Sequence, residues 1–155
     1  MIEVITTEND PQGILRKGSV RVEHPTSVEM RSLVADMVET MYQSDGEGLA
    51  APQIGRNIRL FVIRSGGRVS VFFNPNILSR SERTSFSEEG CLSIPGTYYN
   101  IERSDAITVE FQDIEGKKCR LDADGFLAVV IQHEYDHLQG ILIEDRYRNQ
   151  SVAAR

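Results

Sequence analysis

The sequence predicts an α+β fold in which antiparallel strands pack around a buried central helix, with one amphipathic helix nearer the N-terminus. Two segments, 27–44 and 125–140, carry helical hydrophobic patterning, and the first has a clear one-sided stripe. Between them lie short β-branched and aromatic runs separated by glycine-bearing turns. Helices and strands do not alternate regularly, which argues against a parallel βαβ sheet. At 155 residues, with no repeat, low-complexity tract or Pro- or Ser-rich linker, the chain fits a single domain over 1–155.

The first helix places Met30, Leu33, Val34, Met37, Val38 and Met41 at spacings of three and four. Thr26 with Glu29 reads as a capping box, and Ser44-Asp45-Gly46 reads as the stop. Arg59–Ile63 and Val69–Phe73 flank Ser65-Gly66-Gly67 and form a hairpin pattern. Ile107, Val109 and Phe111 alternate with polar residues, Gly116 marks a turn, and Cys119–Leu121 returns as a strand. The second helix begins near Gly125 after a capping Asp124 and ends near Gly140. Its first half is apolar almost all round, so burial is expected there.

Composition excludes several function classes. Seventeen Lys and Arg stand against 23 Asp and Glu, a net charge of -6, which gives no support for direct nucleic-acid binding. The longest apolar run, Phe126–Ile131, is far too short for a membrane span. The N-terminus lacks a basic n-region and an extended apolar h-region, so the expected location is cytoplasmic and Cys91 and Cys119 are expected as thiols.

With only three His and two Cys in the chain, metal or nucleophile chemistry has few side chains to draw on. Two of the histidines lie in His133-Glu134-Tyr135-Asp136-His137, an HExxH pattern. An i, i+4 spacing on a helix turns both imidazoles to one face, where they can share a metal, and places Glu134 to handle the proton of a water. A third ligand is needed. The extension to a third downstream His fails at Ile143, and Glu144 falls beyond the helix. Upstream, Cys91 in Glu89-Gly90-Cys91-Leu92-Ser93 is the best candidate, because Gly90 permits close backbone approach and the following residues offer N–H donors. Cys119 in its strand and His24 before Pro25 read as structural. Gly46–Gln53, with two Gly, two Ala and Pro52, reads as a tight loop that lets a backbone or substrate come close, with the Gln53 amide beside the site.

These three segments resemble the motifs of the peptide deformylases: GxGLAAPQ as Gly46–Gln53, EGCLS as Glu89–Ser93 and HExxH as His133–His137, intact and in that order. The resemblance implies metal-dependent hydrolysis of the N-formyl group of N-formylmethionyl nascent peptides, releasing formate and a free N-terminus. It implies one divalent metal on Cys91, His133 and His137, with Fe(II) typical and Zn(II), Ni(II) or Co(II) able to occupy the site. It further implies Glu134 as general base, with the Leu92 N–H and the Gln53 side chain on the oxyanion. Gly48 and the segment after Glu89 would pair with the peptide backbone, and Phe126, Val129 and His133 would border the Met pocket.

Three departures from the family pattern carry their own expectations. Glu47 occupies a commonly aliphatic position, so a more polar rim of the Met pocket is expected. Tyr98 stands where many bacterial members carry an Arg near the bound peptide. The short stretch from His137 to Arg155 argues against ribosome docking through a long C-terminal helix, although transient ribosome association stays compatible with the reading. Two other readings exist: an HExxH metallopeptidase acting on internal bonds, disfavoured by the missing downstream ligand, and a catalytically silent metal- or peptide-binding module. Glu134 argues against the latter, since a purely structural site needs no general base.

Overall fold

The computed structural model describes residues 2–150. Helix α1 spans Val28–Gln43 and buries Met30, Leu33, Val34, Met37 and Met41, so the stripe faces the core as its spacing requires. The cap differs from expectation by one residue. Ser27, not Thr26, is extended, and its hydroxyl accepts the Met30 N–H at 3.2 Å. Glu29 forms no capping box; its carboxylate takes Arg56 at 2.7 Å.

Seven strands follow or intervene: β1 Gly48–Ala50, β2 Leu60–Ser65, β3 Arg68–Arg80, β4 Thr84–Cys91, β5 Ile94–Ser104, β6 Ala106–Gln112 and β7 Lys118–Asp124. They form a five-stranded antiparallel sheet in the order β1-β2-β3-β6-β7 and a separate β4-β5 hairpin. The Ser65-Gly66-Gly67 turn joins β2 and β3 as expected, and β6 and β7 flank Gly116. Part of the Gly46–Gln53 segment, expected as a loop, is strand β1, paired with β2 from Gly48↔Ile63 to Ala50↔Phe61.

Strand β2 is apolar at consecutive positions because both faces of the sheet are covered. Leu60 and Val62 join the α1 cluster with Leu49 and Phe73, while Phe61 and Ile63 join Phe72, Val109, Ala128 and Ile131 on the other face. That second face carries α2, Gly125–Leu138. Helix α2 ends as its sequence predicts: Ile141 N–H reaches the Asp136 carbonyl, Gly140 N–H reaches the His137 carbonyl, and Gly140 has φ 74°. Asp124 takes the N-cap backbone conformation without a side-chain cap bond.

Burial along α2 follows the sequence expectation at Ala128, Val130 and Ile131 and departs from it in the first turn and in the polar half. Phe126 in the apolar first turn is 67% exposed, whereas Gln132, Glu134, Asp136 and His137 are buried. Phe126 lines a cleft, and most of the buried polar groups find partners in the β4-β5 hairpin and in a third helix, α3, Ile143–Asn149. Helix α3 was not expected; Leu142 and Ile143 dock it against Leu15, Ile94 and Ile101. No helix among the described residues is long and apolar enough to cross a membrane.

Candidate metal centre

The site lies where the three motif segments converge. A bulge between Gly90 and Cys91 breaks the β4 register at its end, and such bulges re-aim the side chain that follows. Cys91 Sγ thereby lies 3.3 Å from His137 Nε2 on α2. Cys91, His133 and His137 each bring one ligand atom within 4.8 Å of the others. Gly90 serves a different purpose from the one expected. Its missing Cβ, which would lie 2.7 Å from Tyr98 Cε1, makes room for the ring of its cross-strand partner.

A thiolate and two imidazoles leaving further positions open match a catalytic rather than a structural metal site. The electrostatics fit the same donors. Burial works against the Cys91 thiolate, yet the neighbouring His137 and His133 imidazoles hold its pKa well below the usual thiol value. Burial also opposes charge on His133, and bonds to Cys91 and Glu89 outweigh it. Glu89 Oε1 lies 2.9 Å from His133 Nδ1, which fixes the ring and turns Nε2 toward the cluster. Arg103 in turn clamps Glu89 with two bonds of 2.9 Å.

Glu134 is buried beside this cluster, and its Oε2 has no protein partner. Burial raises its pKa, as the nearby Cys91 and Glu89 charges also do, against the pull of His133 and His137. A fully buried carboxylate with a free oxygen is suited to accept and return a proton.

Gln53 is buried, and its side chain holds the first motif against the second. Oε1 accepts the Ala50 N–H at 2.9 Å, and Nε2 donates to Ser93 Oγ at 3.2 Å and to Cys91 Sγ at 3.7 Å. The extended N-terminal segment reinforces this join: Ile5 N–H donates to the Gln53 carbonyl and Thr7 N–H to that of Ser93.

A cleft of about 590 Å³ opens over the cluster. Its lining includes Glu47, Gly48, Gln53, Glu89, Cys91, Leu92, Tyr98, Phe126, Val129, His133 and Glu134, so nearly every residue singled out from the sequence shares one surface. His137 sits deeper, at 1% exposure. The Glu89 carboxylate is committed to Arg103 and His133. Glu144, weighed as a ligand, instead pairs with Arg16 and Arg148, and Cys119 Sγ lies 3.6 Å from Asp113. Sequence reasoning missed Arg103, Asp136 and Arg146. Asp136 lies inside HExxH, but nothing in its spacing distinguishes a buried carboxylate from a solvated one.

A family model described as polypeptide deformylase matches residues 2–153. The chain belongs to the peptide deformylase family. A peptide deformylase of Pseudothermotoga lettingae is 44% identical over 145 residues, covering 94% of this chain and 82% of that one. The crystal structure of the Thermotoga maritima peptide deformylase matches with a TM-score of 0.89 at 39% identity, over 94% of this chain and 97% of that one. That of Synechococcus elongatus, in complex with actinonin, gives 0.89 at 40% identity over 96% and 80%. The enzyme is thus a hydrolase that removes the N-formyl group from nascent peptides, and the α+β architecture expected from sequence is that of its family.

Proposed function

We propose that Cys91, His133 and His137 hold one divalent cation, that Glu134 is the general base and acid, and that the whole chain acts as one catalytic domain on N-formylmethionyl peptides. The observation that carries this reading is the unpartnered, buried Oε2 of Glu134 beside a cluster of three ligand atoms within 4.8 Å of one another. When bound, the cation supplies Lewis acidity and makes a water acidic enough to lose a proton near neutral pH. Fe(II) is the proposed native ion on the strength of the family likeness; the mixed sulfur and nitrogen donors also suit Zn(II), Ni(II) and Co(II).

Glu134 accepts the proton of the attacking water, holds it in its buried carboxyl, and delivers it to the amide nitrogen as the C–N bond breaks. One water and one formamide thus become formate and a protonated amine. The Leu92 N–H and Gln53 Nε2 donate to the oxyanion, the latter exchanging its weak 3.7 Å contact with sulfur for a charge-assisted bond. Gly48 lies on β1, an edge strand of the five-stranded sheet, whose open edge offers backbone pairing to a peptide of any sequence. Phe126 and Val129 border the Met side chain, with Tyr98 and Glu47 at the mouth. The free state of Cys91 and Cys119 accords with a reducing cytoplasm.

The test is formate release from formyl-Met-Ala-Ser under anaerobic conditions, paired with metal analysis. Stoichiometric metal with turnover is expected, and Cys91→Ser should weaken retention of the ion. Full Fe(II) retention by that variant would reassign the third ligand.

A further inference from the structure

The ion-pair network behind His133 does not end at Arg103. Arg103 Nη1 also donates to Asp136 Oδ2 at 2.6 Å, and Asp136 is buried on the same helix as the two histidines. Asp136 then receives a second guanidinium: Arg146, on α3, donates through Nε at 2.9 Å and Nη2 at 2.7 Å. Two carboxylates and two guanidinium groups therefore alternate from α3 to the metal-facing imidazole.

We infer that Arg146 is a positioning residue for metal binding, acting from α3 through Asp136, Arg103 and Glu89 on the orientation of His133. This rests on the assignment of Cys91, His133 and His137 as ligands.

The physical reason lies in charge balance. Arg103 is buried and shared between two carboxylates, with its Nε and Nη2 edge on Glu89 and only Nη1 on Asp136. That division is stable while Arg146 neutralises Asp136. Without Arg146, Asp136 becomes a buried anion competing with Glu89 for one cation, an arrangement relieved by Arg103 turning toward it. Glu89 Oε1 accepts from both Arg103 Nη2 and His133 Nδ1, so any shift of Arg103 is felt at the imidazole. Arg80 is engaged elsewhere. Its charge is felt at Asp136, but its Nη1 donates to Gln132 at 3.2 Å. Arg146 is itself half-exposed, with a side chain 40% accessible, so its removal leaves no cavity in the core.

The experiment loads purified protein with Co(II) and follows both the visible absorption bands and the transfer of cobalt to excess chelator. Arg146→Met is expected to release cobalt about tenfold faster, in line with the loss of other outer-shell partners, and to alter the bands. Arg146→Lys, which keeps the charge but not the paired donors, should fall between. Arg148→Met, on the same helix and tied to Glu144 at 3.8 Å, should match wild type. In a Glu89→Gln background the Arg146→Met effect should largely vanish, because both changes break one path. A lower melting temperature with unchanged release and bands, or an undiminished effect in the Glu89→Gln background, would overturn the inference. Wild-type protein that takes up no cobalt would sink the ligand assignment itself, and the inference with it.

Discussion

Gly48 presses directly on Glu134: a Cβ on Gly48 would lie 2.7 Å from Oε1, 2.8 Å from Cγ and 2.9 Å from Cδ. The backbone of β1, which is to receive the peptide, is therefore held in contact with the group that is to move the proton. Gly48→Ala must displace one of them. We expect kcat to fall about 100-fold, the lower end of what general acid–base catalysis contributes, with metal content unchanged. Steady-state kinetics with metal analysis checks this; full activity would mean that Glu134 moves aside freely.

Glu134→Gln separates catalysis from folding. The carboxylate is buried with one oxygen unpartnered, which costs more stability than a neutral amide of the same shape. Turnover should drop about 100- to 10,000-fold, while the thermal midpoint of the metal-free protein holds or rises. A fall in that midpoint would show that the carboxylate contributes to stability after all.

The buried ion network predicts acid sensitivity. For Asp136, burial alone would raise the pKa, but the bonds from Arg146 and the charge of Arg103 bring it below the usual carboxylate value. Glu89 is likewise lowered against burial, by His133 and Arg103. Groups with depressed folded-state pKa values stabilise fully above their unfolded pKa, about 4, and lose that contribution as pH falls through the folded value. Urea midpoints of metal-free protein should thus fall off as pH drops below about 4. In Asp136→Asn the midpoint should already be lower at pH 7 and should depend less steeply on acid. An equally steep decline in the variant would place the acid-labile groups elsewhere.

The sequence made legible those parts of the fold whose burial is apolar. The α1 stripe, the two-sided apolar run of β2 and the i, i+4 imidazoles of α2 each follow from a period and a residue type. The β4-β5 hairpin escaped because its inward positions are not apolar throughout. Glu89 and Arg103 face inward as an ion pair, and a charge that is buried reads in sequence like one that is solvated. Helix α3 escaped for a related reason: Glu144, Asp145, Arg146 and Arg148 look like a solvated tail, while Ile143 and Tyr147 supply too short a stripe. Its proposed role runs through Asp136, a position that the HExxH pattern leaves unspecified and that spacing alone does not single out.

Glu47 offers a test at the mouth of the cleft. Its side chain is 49% exposed and lies 3.4 Å from Arg64, which makes a closer bond of 2.9 Å to Asp45. A screened pair of this kind contributes little to stability, so Glu47→Ile should leave the melting temperature nearly unchanged. The side chain nevertheless lines the cleft, and an isoleucine there adds apolar surface that a bound side chain can cover. Partial burial of that surface amounts to about 1 kcal/mol, or roughly a fivefold gain in kcat/KM for formyl peptides whose first side chain is more apolar than Met. Competition between formyl-Met and formyl-norleucine peptides, read as a ratio of kcat/KM, measures the shift. An unchanged ratio would mean that the Glu47 side chain faces solvent throughout the reaction and that Phe126 and Val129 alone set the selectivity of the pocket.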